Sequence, residues 1–327
     1  MNYDVFNGDA DGICALLQLR LAEPKSSVLV TGIKRDIELL DRVNVKPGDE
    51  VTVLDISLQK NRPHVERLLR QGARIFYVDH HLAGDVPEHA ALKTLIDTDA
   101  NMCTSLLVDR YLGGQYRSWA VVAAFGDNLN QSAEQAAGTL KLSAPEISQL
   151  KELGVCINYN SYGGCIEDLH YPPDQLYKSL LAYKSPFDFI SDQHSIYKEL
   201  QAGYYDDLVQ ANRIKPEYDN NHVTVIILPD KIWARRINGV YGNELANRVP
   251  EKAHAIVTHN KRGGYQVSVR APLINKTGAD ELCSEFPSGG GRKGAAGINH
   301  LPVEQLPDFI KRFSEKYSQL LGSMPLS

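Results

Sequence analysis

Short apolar runs alternate with amphipathic segments through the first part of this chain, and that alternation constrains the fold more than any other feature. Residues 4–6, 27–32, 50–55 and 74–79 read as strands, with 27–32 a buried one. Residues 13–21 and 64–71 read as helices, the second followed by Gly72. Strands that alternate with helices predict a mostly parallel sheet covered on both faces.

The later chain reads differently. Residues 115–215 are mainly helical, with helical spacing at 118–125, 133–153 and 173–183. A polar amphipathic stretch at 192–214 suits a connector helix. After Asn220-Asn221 strand patterns return at 222–228, 253–259 and 264–270. The expected fold class is α/β. An N-terminal doubly wound, mostly parallel sheet domain spans 1–190, a helical connector 191–216, and a smaller C-terminal α/β domain 217–327.

Three of the early strands end in acids or histidines. Asp9 and Asp11 follow the first, Asp55 follows another, and Asp79-His80-His81 closes a third. In open α/β sheets this edge is where ligands bind. Any one of these motifs has an ordinary explanation. Asp-x-Asp-Gly is usually a turn, Asp55 would serve as a helix N-cap, and a lone histidine is usually structural. Their recurrence at one sheet edge points to a site. An EF-hand is excluded, because no Glu stands at the required loop end and the flanks read strand–helix. Asp9, Asp11, Asp55, His80 and Asp127 would suit two octahedral divalent ions, with Asp55 able to bridge them. Carboxylates favour magnesium or manganese, and the imidazole shifts the choice toward manganese. Two such ions, about 3.5–4 Å apart, activate a water and stabilise the leaving oxygen in phosphoryl transfer.

Composition narrows the classes. The net charge of -5, from 35 Lys+Arg against 40 Asp+Glu, excludes binding to nucleic acid by bulk positive charge. The five cysteines form no CxxC pair, which argues against a disulfide scaffold or zinc ribbon. Cys14 reads as a core residue. The N-terminus lacks the features of a signal peptide. No stretch reaches the roughly 18 apolar residues of a membrane span. The expected location is the reducing cytoplasm, with no membrane partner.

Phe6-Asn7-Gly8-Asp9-Ala10-Asp11-Gly12, Val53-Leu54-Asp55, Val78-Asp79-His80-His81, Ile96-Asp97-Thr98-Asp99 with Thr104-Ser105, and Gly126-Asp127 together resemble the DHH phosphoesterase superfamily. The strand at 264–270 and Gly289-Gly290-Gly291-Arg292-Lys293-Gly294-Ala295-Ala296-Gly297 resemble its associated C-terminal domain, of the RecJ-like or NrnA-like kind. The resemblance implies manganese-dependent hydrolysis of phosphoester or phosphodiester bonds. It places Asp9, Asp11, Asp55, His80 and Asp127 on metal-ligand positions, with Asp55 bridging. Asp79 and His81 flank the site as catalytic candidates, His81 toward substrate phosphate. Asp97 and Thr104 support it. Two positions depart from the family pattern. Asn7 stands where one branch has a histidine before the Asp-x-Asp pair and the RecJ-like branch an acid. Arg292 stands where the family usually has a histidine after the three glycines. Arginine still binds phosphate bidentately but is no proton donor near neutral pH.

In the second domain, Gly289, Gly290 and Gly291 would let the backbone approach an anion, helped by a helix starting at Ala295. Arg270 and Arg292 would add positive charge. The stretch 158–164 reads as a turn-rich loop packed on the first domain, with base stacking the sharper alternative. Trp233-Ala234-Arg235-Arg236 reads as a solvated basic helix face.

The expected function is a metal-dependent phosphodiesterase, exonuclease-like or oligoribonuclease-like, acting on short single-stranded RNA or DNA or on dinucleotides. The cofactor would be two manganese ions, with magnesium the alternative, and a homodimer is compatible. Cyclic-dinucleotide or small-molecule phosphatase or pyrophosphatase activity is the second enzyme reading. A nucleotide-binding module with impaired catalysis, suggested by Asn7, is the third.

Overall fold

The computed structural model of the protein describes residues 1–322. The chain divides into two compact units, 1–203 and 204–327.

The first unit begins with β1 (Asn2–Phe6), α1 (Ala10–Ala22), β2 (Val28–Val30), β3 (Glu50–Leu54), α2 (Leu58–Arg70), β4 (Arg74–Asp79) and β5 (Leu92–Ile96). The sheet order is β2-β1-β3-β4-β5, and every pairing is parallel. Strand order reverses between β1 and β3, so the crevice beyond their C-terminal ends is the place this architecture offers a ligand. One face packs Val5, Val51, Val53, Ile75 and Tyr77 against Leu58, Val65 and Leu68 of α2. The other face is covered by α1, whose residues from Ala10 to Arg20 are all buried. Each buried leucine there contributes about 1.5–3 kcal/mol relative to exposure.

Helix α1 is enclosed by α3 (Thr104–Tyr111) and α4 (Arg117–Gly126). Then follow α5 (Asn130–Gly138), α6 (Ala144–Tyr159), α7 (Pro173–Leu181) and α8 (Pro186–Ser191), and α9 (Tyr197–Ala211) carries the chain from the first unit into the second. Helices α4 and α6 approach closely at Gly154, where a Cβ would collide with the Val122 carbonyl oxygen.

The structure corrects several sequence expectations. The strand expected at 27–32 is only Val28–Val30, and it is an edge strand, with Val28 44% exposed, because it has a partner on one side alone. The helical run expected at 133–153 is two helices. The chain stops at Gly138 and restarts at Ser143, whose hydroxyl and Glu146 form a reciprocal cap with Pro145 in the first turn. Edge strand β5 was missed, its alternation blurred by Lys93 and Thr94, which are exposed.

The second unit contains β6 (Tyr218–Asp219), β7 (Val223–Ile227), α10 (Ile232–Arg248), β8 (Ala253–His259), β9 (Tyr265–Arg270), α11 (Ala279–Ser284), β10 (Gly289–Arg292), β11 (Ala295–Leu301) and α12 (Leu306–Gly322). Its mixed sheet runs β10-β11-β9-β8-β7-β6, with only β7 and β8 parallel. Phe286, Phe309, Phe313 and Tyr317 close one face. The helix expected at Ala295 is instead β11. Lys293-Gly294 turns the chain between β10 and β11, so the three glycines lie in an edge strand of an antiparallel ladder. Among the described residues no helix is long and apolar enough to cross a membrane.

Candidate metal centre

Asp9 ends the loop after β1 and caps α1. Its Oδ1 accepts from the backbone N–H of Asp11 at 3.1 Å and of Gly12 at 3.0 Å. This is ordinary N-cap chemistry, satisfying donors that the first helical turn leaves unpaired. Position 12 must be glycine, because a Cβ would overlap the Asn7 carbonyl oxygen. Asp11 sits inside the first turn. Its two oxygens accept from the N–H groups of Thr104 and Ser105, each at 2.7 Å. The N-terminus of α3 therefore fixes a carboxylate of α1, as helix N-termini fix anions.

Asp55 follows β3 with φ at +59°, a left-handed backbone that a non-glycine residue adopts at some cost. It is not the N-cap of α2, a place Ser57 takes. Its Oδ1 accepts from the Thr104 hydroxyl at 3.2 Å. His80 leaves β4 with Nδ1 2.7 Å from the Met102 carbonyl oxygen. A carbonyl only accepts, so Nδ1 carries a proton and Nε2 is turned toward the carboxylates. That Nε2 lies 3.3 Å from Asp55, 3.8 Å from Asp11 and 3.8 Å from Asp127. His81 turns its Nδ1 to Asp79 at 2.8 Å. Its side chain is 33% exposed, whereas Asp79 is fully buried.

An imidazole nitrogen and three carboxylates, all nearly excluded from water, converge on a place that suits a cation. Asp11-His80-Asp127 and Asp55-His80-His81 each bring three donor atoms within 4.8 Å of one another. The Oδ1 of Asn7 and the Oδ2 of Asp79 are buried with no hydrogen-bond partner. A hard divalent ion fits this donor set. Burial, with Asp127 and Asp9 nearby, pushes Asp11 up to about 7. Burial and the neighbouring carboxylates, Asp9 first among them, raise Asp55 well above the usual carboxylate range. Asp79 goes the other way: burial opposes its charge, but the hydrogen bond from His81 holds it below the ordinary value.

Two side chains in the cluster, Lys34 and Asn158, were not anticipated. Lys34, in the loop after β2, places its ammonium against Asp9 Oδ2, 3.4 Å from Asp127 Oδ1 and 3.2 Å from Asn158 Oδ1. Burial alone would lower its pKa; Asp9, Tyr162 and Asp127 outweigh that and hold it well above the ordinary lysine value. Both residues had a signal in the sequence. Lys34 follows a strand at the same sheet edge as the acids, and Asn158 belongs to the polar stretch read as a loop. Asn158 and Tyr159 in fact close helix α6, where Asn158 is buried.

The structure thus brings Asn7, Asp9, Asp11, Asp55, Asp79, His80, His81, Thr104 and Asp127 to one edge of the first unit. Asp97 turns outward, within 3.8 Å of Arg110. The remaining site candidates are in the second unit. Arg292, Ala295 and Arg270 stand opposite one another across β10, β11 and β9. The Arg270 guanidinium donates to Asn243 at 2.5 Å and to the Gly239 and Val269 carbonyls at 3.1 Å each. The N–H of Gly289 is taken by the Phe286 carbonyl. Arg236, read from sequence as a solvated residue, pairs with buried Asp207 at 2.9 Å.

No protein-family model and no curated protein matches the chain. Solved structures do. A DHH-domain protein described as belonging to a family of ribosomal proteins aligns with a TM-score of 0.63 at 14% identity, over 98% of this chain and 86% of its own. The exonuclease RecJ bound to manganese aligns at 0.58 and 15% identity, over 99% and 90%. The pGpG-specific phosphodiesterase PggH of Vibrio aligns at 0.54 and 13% identity, over 98% and 99%. The order of the acids, the parallel sheet that carries them and these alignments agree: this chain has the fold of the DHH-domain proteins.

Proposed function

We propose that this chain is a metal-dependent phosphodiesterase that hydrolyses short single-stranded nucleic acids or dinucleotides. The observation that carries the reading is the aim of His80 Nε2 at Asp11, Asp55 and Asp127, with Nδ1 anchored on Met102. A divalent ion held by these residues supplies Lewis-acid activation of water and of the phosphoryl group. Manganese is the proposed metal, because the set mixes carboxylates with imidazole and because the RecJ neighbour is a manganese complex.

The chain's own residues do the rest. The α3 N-terminus holds Asp11, and Thr104 holds Asp55. Asp79, kept ionised by its partner, fixes the proton of His81 on Nδ1. His81 Nε2 is then free to meet substrate, accepting a proton or, once protonated, donating one to the leaving oxygen. In the second unit, Arg292 and the glycine strand 289–291 are proposed to bind phosphate, with Arg270 braced on α10 in the same cross-strand row. Short substrates are favoured by the net charge of -5, since long polyanions need many cationic contacts. The neighbours named as an exonuclease and a pGpG-specific phosphodiesterase support the same substrate class.

The test is purified protein with manganese, offered short RNA and DNA, linear and cyclic dinucleotides, and pyrophosphate. Release of mononucleotides from the linear substrates is expected. Metal binding without turnover of any of them would refute the reading. Asp55→Ala should lower turnover by more than about 100-fold, beyond the 10–100-fold typical of a supporting residue.

A further inference from the structure

The two sides of the acid cluster are not equivalent. On the Asp11 side, Asp11, Asp55 and Asp127 converge on Nε2 of His80. On the Asp9 side a cation is already in place. The Lys34 ammonium has three N–H donors, and it faces three acceptors: Asp9 Oδ2, Asp127 Oδ1 at 3.4 Å and Asn158 Oδ1 at 3.2 Å. The face of Tyr162 lies 5.6 Å from the same nitrogen, a favourable place for a cation. The other oxygen of Asp9 caps α1. Among the described residues, neither three-donor group suited to an ion includes Asp9. The Asn7 amide donates to the Lys34 backbone oxygen at 3.3 Å.

We propose that this centre takes one divalent ion, at Asp11, Asp55, His80 and Asp127, and that the Lys34 ammonium occupies the second cation position beside Asp9. One ion then stands in place of the two expected from the sequence, on the footing of the metal-dependent reading of the site. Asp9 serves as a helix cap and as the counter-charge of Lys34. The ammonium neutralises the cluster but supplies no Lewis acid.

The experiment is a count of metal per chain. The full chain is stripped with chelator, equilibrated with manganese and freed of excess. It is then measured by elemental analysis and by electron paramagnetic resonance, which separates an isolated ion from a coupled pair. Wild type should hold one ion with an isolated-ion spectrum. Lys34→Ala and Lys34→Ser should rise to two ions with a coupled spectrum, because each opens the Asp9 position. Two coupled ions in wild type would overturn the inference and leave the phosphodiesterase reading standing. A natively folded Lys34 variant that still holds one ion would also overturn it. No ion in wild type would overturn both readings. The wild-type count is decisive even if a variant does not fold.

Discussion

Thr104 shows how much one residue can link. Its N–H holds Asp11 and its hydroxyl holds Asp55, so two candidate ligands from different elements are both held by one fully buried residue. Replacing the hydroxyl by a methyl keeps the backbone contact and removes the other. Thr104→Val should therefore weaken metal binding about 10–100-fold, as loss of an outer partner does, while Asp11 stays in place. Calorimetric titration with manganese checks this; an unchanged affinity would mean that Asp55 is oriented by its backbone alone. The residue was legible only in outline. Its place in a motif suggested support, but its partners lie 93 and 49 positions away in sequence.

At the level of elements, the first unit depends on an ion pair beneath its sheet. Asp4 of β1 is fully buried, accepting from Arg20 Nε of α1 at 2.8 Å and from the Ser27 hydroxyl at 2.6 Å. Arg20 also donates to Thr52 of β3 at 3.1 Å. Four elements or their flanks meet at this pair. Removing one partner strands a buried charge, so Asp4→Ala should destabilise the protein by roughly 3–5 kcal/mol. Replacing both residues with apolar ones of similar volume should cost far less. Urea denaturation of the single and double variants tests the pair of outcomes. Asp4 read as an ordinary strand residue, because a buried pairing leaves no periodic trace in the sequence.

For the molecule as a whole, two units with separate cores allow separate responses to pH. His254 of β8 is buried, with Nε2 3.3 Å from the Val249 carbonyl oxygen and Nδ1 unpartnered. Burial pushes its pKa below the ordinary 6.5. The unfolded chain then binds more protons at this site than the folded chain, so stability rises with pH. This contribution is complete above about pH 6.5 and is lost as pH falls through the depressed folded value. The second unit should accordingly weaken on acidification, and His254→Leu should flatten that dependence. Denaturation followed by Trp233 fluorescence in a Trp119→Phe background reads the second unit alone; an unchanged slope in His254→Leu would assign the acid sensitivity elsewhere.

The local pattern of residues was enough for the α/β class, the parallel sheet and the edge on which the acids gather, because strand alternation, glycine turns and strand-end acids are short-range signals. It also marked Asp9, Asp11, Asp55, His80, His81 and Asp127. The chemistry among them was decided only in three dimensions. The orientation of His80 comes from a carbonyl 22 positions later, the Asp11 carboxylate is held by a helix 93 positions away, and Lys34 reaches Asp127 across another 93. The glycine run in the second unit read as a loop before a helix, yet pairing with residues 295–298 makes it a strand. Such contacts bring together groups far apart in the chain, and no local window of sequence contains both members.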